Sequence, residues 1–324
     1  MYNRQVCYNI IGIMLLFLIE WVIFMLVGYT GFVGSNLCLS HNFNYLINSK
    51  NIETAFGVSP DTLIYSGVPA EMFIANKYPE KDKAIIDNAE NNIQNINPKR
   101  TVLISTVAVY DCTDNVDEDY VPDLNCLTPY GKNRLALEKW VEENYKEHLI
   151  VRLPAIYGEN LKKNFIYDYI NYIPAMLTEK KYSELSKNDS LIMDSYYQLD
   201  NGFYKCKEMD NTVKKNLKAS FNSIGFSALN FTDSRSVYQF LWLKNLYGYI
   251  TDCLEKGIRK INLVTPPVSV CELYEYLTGE VFENITNKKP FDYNIKTKHY
   301  DTGYIMSKEE ELSQIKQFID SKVG

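Results

Sequence analysis

Gly28-Tyr29-Thr30-Gly31-Phe32-Val33-Gly34 follows directly on the apolar run Ile23–Val27 and leads into a helical segment, Ser35–Ser40. No other feature of the chain restricts its fold so narrowly. Glycine at 28 permits a tight turn out of a strand, at 31 it lets backbone approach a pyrophosphate, and at 34 it lets a helix pack close to the strand. The helix that follows aims free N–H groups and the positive end of its dipole at the phosphates. With a strand before it and a helix after it, the loop is a dinucleotide-binding fingerprint rather than three scattered glycines. It assigns Gly28, Gly31, Phe32, Val33 and Gly34 to that ligand.

The rest of the first half agrees with such a loop. Apolar runs suited to strands, at Ile23–Val27, Tyr45–Ile47, Thr62–Tyr65, Thr101–Ser105 and His148–Arg152, are separated by helical stretches at Ser35–Ser40, Lys81–Ile96 and Asn133–Tyr145. Alternation of this kind builds βαβ units and a parallel sheet, so the fold class is α/β with a Rossmann-type doubly wound sheet. Strand–helix alternation weakens over Leu161–Phe231, which is rich in Lys, Asn, Ser and Tyr, and resumes at Gln239–Leu243, Tyr249–Lys256 and Ile261–Val264. A helix around Val270–Leu277 and a charged helix from Ser307 follow. The expected organisation is an apolar extension over 1–22, a dinucleotide-binding core over 23–160 completed by about 236–265, and a smaller C-terminal substrate lobe from 161–235 and 266–324.

Composition removes several function classes. A net charge of −6 over 324 residues, with no Lys/Arg-rich run, gives no electrostatic reason for a nucleic-acid partner. The seven cysteines and three histidines include no C-x-x-C, so no metal site is expected. Free thiols suit a reducing compartment, and the expected location is cytoplasmic. Residues 9–27 are apolar apart from Asn9 and Glu20. Once Ile23–Val27 is given to the first strand, Ile10–Val22 is too short to cross about 30 Å of hydrocarbon. It reads as an extension, with a membrane-associating helix as the alternative.

About 20 positions beyond the glycine loop, a carboxylate would bind adenine ribose hydroxyls and favour NAD. Here the second strand ends in Asn48-Ser49-Lys50-Asn51, and Glu53 lies too far along. Ser49 and Lys50 suit a 2′-phosphate, which tilts the cofactor expectation from NAD towards NADP.

Thr106 ends the fourth candidate strand, and twenty-four residues later Thr128-Pro129-Tyr130-Gly131-Lys132-Asn133-Arg134 opens a helix. A strand-end hydroxyl and a helix-borne tyrosine at this separation resemble the extended short-chain dehydrogenases, in particular nucleotide-sugar epimerases and reductases. The resemblance runs on through Ser66-Gly67-Val68, Arg152-Leu153-Pro154-Ala155-Ile156-Tyr157-Gly158, Asn164-Phe165-Ile166 and Tyr238–Leu246. It implies that Thr106 orients the substrate and Tyr130 transfers its proton. It places Ser66, Gly67 and Pro154 against the cofactor and Asn164 against a nucleotide-sugar substrate. It also implies a homodimer through the helix carrying the tyrosine.

Three positions depart from the family pattern. Arg134 stands where relatives have the lysine that lowers the tyrosine's pKa and holds the nicotinamide ribose. It still supplies a positive charge favouring tyrosinate, although guanidinium and ammonium are not interchangeable. Tyr238 stands where relatives grip a diphosphate with arginine, and Arg235 is the candidate replacement. The acidic ribose ligand is missing. Val107-Ala108 occupies the place of the Asp-Glu pair of 4,6-dehydratases, and neither residue can transfer a proton, which disfavours dehydration. Epimerisation or reduction remains as the expected activity. The competing reading is a dinucleotide-binding protein that has lost turnover and acts through a partner. A literal Tyr-x-x-x-Lys at Tyr304–Lys308 lacks a strand-end hydroxyl before it and reads as chance.

Overall fold

The computed structural model describes residues 22–187 and 189–323; the apolar extension before Val22 lies outside them. The first half alternates as β1 (Phe24–Val27), α1 (Phe32–Ser40), β2 (Tyr45–Ile47), β3 (Thr62–Tyr65), α2 (Met72–Lys77), α3 (Pro79–Ile96), β4 (Thr101–Thr106), α4 (Pro129–Asn144) and β5 (His148–Leu153). The second continues through β6 (Ala155–Tyr157), α5 (Phe165–Asn171), β7 (Met176–Thr178), α6 (Glu179–Ser186), α7 (Ser190–Asp194), β8 (Tyr196–Gln198), β9 (Phe203–Cys206), α8 (Asn211–Ser223), β10 (Val237–Tyr238) and β11 (Phe240–Trp242). The last elements are α9 (Leu246–Glu255), β12 (Lys260–Asn262), β13 (Val268–Ser269), α10 (Val270–Thr278) and α11 (Lys308–Val323).

Six strands form one sheet in the order β12-β5-β4-β3-β1-β2. β1 runs parallel to both β2 and β3, and β3 parallel to β4. The expected doubly wound α/β sheet is therefore present. Because β1, β3 and β4 are parallel neighbours, their C-terminal ends share one edge, where Gly28, Ser66-Gly67 and Thr106 lie. Ligands of open α/β sheets bind at such an edge.

The chain divides into two compact units. One runs through Val109 and takes in Leu124–Val151 and Tyr247–Lys260; the other comprises Tyr110–Asp123, Arg152–Leu246 and Ile261 onward. The core of the first packs Met25, Val27, Leu63, Tyr65 and Leu103 against Ile86, Ala89, Ile93 and Ile96 of α3 and Leu137 and Val141 of α4. Period-two residues from the strands meet helix residues spaced three and four apart, so each element shows the face its periodicity demands. α3 starts with Pro79 at its first turn and ends at Asn97 in a left-handed conformation, φ 54°.

The second unit holds two apolar clusters. Tyr157, Phe165, Phe240, Leu273, Ile315 and Phe318 belong to one. Leu177, Ile192, Tyr196, Leu217 and Phe221 form the other, which includes residues of the three-stranded sheet β7-β9-β8. That antiparallel sheet lies in the stretch where sequence periodicity was weak. Its strands are three or four residues long, and part of its packing is done by tyrosine rings, Tyr182 stacking on Tyr204 at 3.8 Å. Among the described residues no helix is long and apolar enough to cross a membrane.

Candidate active site

The glycine loop has the shape its sequence implies. Gly28 has φ +91°, and a Cβ there would meet the carbonyl carbon of Ser66 at 2.6 Å. A Cβ at Gly34 would lie 2.1 Å from the Gly28 oxygen, so α1 can sit this close to the turn only without a side chain. Gly31 is different: a Cβ would meet only the Gly28 oxygen, at 3.3 Å, and otherwise open space. Gly31 caps α1 with no side-chain hydrogen bond, which leaves the first N–H groups of the helix, including those of Phe32 and Val33, without a side-chain acceptor. An open cradle over unfilled N–H groups at a helix start fits a pyrophosphate.

Beside the loop, the Ser66 hydroxyl donates to the Val27 carbonyl at 2.9 Å and ties the ends of β3 and β1 together. After β2, the Asn48 side chain accepts from the Lys50 N–H at 2.8 Å, while the Asn48 N–H donates to Asn51 Oδ1 at 2.7 Å. This turn leaves Ser49 and Lys50 exposed.

Thr128 starts α4: its hydroxyl accepts from the Gly131 N–H at 3.2 Å, and Pro129 fills the first turn. Tyr130, Arg134 and Glu138 then fall at intervals of four on one helix face, and all three are buried. Glu138 Oε1 accepts from the Ser105 hydroxyl at 2.5 Å, fixing the helix to the end of β4. Gly131 makes the close approach possible, since a Cβ would stand 2.3 Å from the Ala108 oxygen. The Tyr130 N–H donates to Asn76 Oδ1 at 3.0 Å.

Thr106 and Tyr130 are brought together, the Thr106 side chain acting to lower the pKa of the phenol. Thr106 Oγ1 also accepts from the Ala108 N–H at 3.1 Å. The Arg134 guanidinium carbon lies 4.3 Å from the Tyr130 ring centre. Arg134 supplies the expected positive charge, which lowers the Tyr130 pKa, but it is paired. It donates to both carboxylate oxygens of Asp82, at 2.9 and 3.0 Å, and to the Pro69 carbonyl at 2.8 Å. Tyr130 is pushed above its usual pKa: burial is the main cause, Arg134 and the Thr106 hydroxyl oppose it, and the Asp82 charge adds to it. The phenol therefore holds its proton at neutral pH.

The remaining expected residues lie in the second unit. Pro154 links β5 to β6. Asn164, at φ 109°, accepts from the Tyr167 N–H at 3.0 Å and donates to the Ile156 carbonyl at 3.0 Å, so its amide is engaged at both ends. Arg235 pairs with Asp233 at 2.8 Å and is half exposed. Asn164 borders a cavity of about 120 Å³ whose walls include Phe165, Asp168, Thr232, Tyr238 and Phe240. Burial pushes the Asp168 carboxyl up to about 7. In the chance motif, the Tyr304 hydroxyl donates to Asn294 Oδ1 at 2.6 Å and Lys308 pairs with Glu272 at 3.0 Å.

Asp82, Asn76, Glu138 and Gly131 are the site residues that sequence reading did not assign. Glu138 and Gly131 could have been found, because they lie eight and one positions after Tyr130. Asp82 and Asn76 are 48 and 54 residues before it and carry no local signal.

Residues 25–175 match the family described as RmlD substrate binding domain. A dTDP-4-dehydrorhamnose reductase from Bacillus anthracis, in complex with NADP, superposes with TM-score 0.57 at 17% identity, covering 92% of this chain and 98% of its own. The chain shares the fold of that reductase. Two other structures of this fold are similar. A UDP-N-acetylglucosamine 4-epimerase from Methanobrevibacter ruminantium has TM-score 0.57 and 13% identity, over 92% of this chain and 97% of that one. A GDP-mannoheptose C4 reductase from Campylobacter jejuni, with NADP bound, has TM-score 0.58 and 14% identity, over 92% and 97%. No curated protein matches the chain by sequence. Against the family pattern, the glycine loop, the strand-end hydroxyl and the tyrosine are kept, and the cation beside the tyrosine is a buried, paired arginine.

Proposed function

We propose that the chain is an NAD(P)-dependent reductase or epimerase of a nucleotide-linked sugar, with Tyr130 transferring the proton. The observation that carries this reading is the Thr106–Tyr130 hydroxyl pair, on the sheet edge that also holds the open glycine cradle. The cofactor would supply or accept hydride; Gly28, Gly31 and the N–H groups of Phe32, Val33 and Gly34 would hold its pyrophosphate. Ser49 and Lys50 are exposed after β2, where a 2′-phosphate could be met, which supports NADP. Thr106 orients the reacting carbonyl or hydroxyl. Tyr130 holds its proton at neutral pH and would donate it to the carbonyl oxygen of a keto sugar as hydride arrives.

The test is NADPH oxidation against a panel of dTDP-, UDP- and GDP-linked 4-keto sugars, with wild type and Tyr130→Phe. The reading expects turnover by wild type and a loss of about 10²–10⁴-fold in the variant. Turnover undiminished in Tyr130→Phe overturns the role of Tyr130. Cofactor binding without turnover of any sugar favours the non-catalytic binder.

A further inference from the structure

Asp82 lies in the first turn of α3, 52 residues before Arg134, and no sequence motif includes it. Its side chain and that of Arg134 are each only 6% exposed. The two form a bidentate pair, and the Asn133 amide adds a third donor to Asp82 Oδ2 at 2.8 Å. Planar guanidinium against carboxylate fixes distance and orientation together, which a single ammonium does not. The Pro69 carbonyl completes the clamp. The guanidinium is thus held against the Tyr130 ring with its charge matched by an adjacent carboxylate.

We infer that Asp82 is a positioning residue of the Tyr130 site: it clamps Arg134 against the phenol ring and offsets part of the positive charge that the guanidinium brings to it. The inference rests on the reading of Tyr130 as the proton-transfer group. The lysine that the resemblance places at this position lowers the tyrosine's pKa; Arg134 does the same here against the effect of burial, and Asp82 weakens it. The two neighbours act on Tyr130 in opposite directions, Arg134 lowering its pKa and Asp82 raising it. The carboxylate therefore shifts Tyr130 towards the protonated form, within a balance that burial dominates.

The test is the titration of Tyr130 in the full chain, followed by NMR of 13Cζ-tyrosine-labelled protein, with the resonance assigned by its absence in Tyr130→Phe. Asp82→Asn keeps the shape and leaves the guanidinium charge uncancelled. The expected result is a midpoint lowered by about 1–3 pH units, the range for an opposite charge within a few ångströms. Asp82→Glu, which keeps the carboxylate, should return the midpoint towards wild type. Should Asp82→Asn fail to fold, Arg134→Lys and Arg134→Lys/Asp82→Asn carry the same comparison with a cation that accepts hydration more readily. A lower midpoint in the double variant than in Arg134→Lys supports the inference. A folded Asp82→Asn or double variant that titrates where its Asp82-containing parent does overturns it. Because the readout needs no substrate, a failure here is distinct from a failure of the proposed activity.

Discussion

Asp82 and Glu311 are both carboxyl groups shut away from solvent, one in each compact unit, and their surroundings differ. Asp82 meets a guanidinium on both oxygens and an amide besides. Glu311 meets no cation in hydrogen-bonding contact: Oε1 accepts from the Phe240 N–H at 2.9 Å and the Thr265 hydroxyl at 2.8 Å, while Oε2 is buried without a partner. Burial pushes the Glu311 carboxyl up to about 8, with the two donors and the Lys308 charge only partly offsetting it. One buried carboxyl is part of a charged assembly that bears on a functional phenol. The other is better accommodated with a proton and serves to pin α11 to β11.

Asp82→Ala breaks the contrast most severely. It leaves the Arg134 charge buried and unpaired, and should cost about 3–5 kcal/mol in urea unfolding. A loss within about 1 kcal/mol would mean that water reaches the guanidinium and that the clamp is not closed.

Glu311 sharpens the contrast through pH. Its ordinary value is 4.5 and its value in the fold about 8, so between these the folded chain holds a proton that the unfolded chain has released. Stability from this group is therefore fully present below pH 4.5 and declines as pH rises through about 8. Glu311→Gln keeps an acceptor for Phe240 and Thr265, and should remove that decline from the stability–pH curve. An unchanged curve would mean that Glu311 does not titrate in this range.

The smallest effect belongs to Arg235→Gln. This arginine is half exposed, and Asp233 also accepts from the Thr286 N–H and hydroxyl, so the loss should stay within about 1 kcal/mol in urea unfolding. A much larger loss would show that exposure is a poor guide to what these ion pairs contribute.

The same difference explains what could be read from the sequence. The glycine loop was legible because each of its requirements, a positive φ at Gly28 and no Cβ at Gly34, is met within seven consecutive residues. Thr106 and Tyr130 were legible through their spacing, and the strands Tyr45–Ile47 and Thr62–Tyr65 emerge with the bounds expected of them. The Asp82 clamp was not, because Pro79-Glu80-Lys81-Asp82 looks like the solvated first turn of any helix. Only the packing of α3 on α4 shows that Asp82 faces inward. Arg134 does pull the Tyr130 pKa down as its position implies; burial, which the sequence does not display, outweighs it, and Asp82 adds to burial. Strands β7, β8 and β9 were hidden for another reason: three or four residues are too few to display a period of two.

The most direct measurement is a nicotinamide-fluorescence titration of the full chain with NADPH and with NADH, for wild type, Gly31→Asp and Tyr130→Phe. The account predicts that wild type binds, with NADPH preferred. Gly31→Asp, which puts a carboxylate into the open cradle, should lose binding, and Tyr130→Phe should keep it. A wild-type chain that binds neither cofactor would contradict the account and leave only the fold standing.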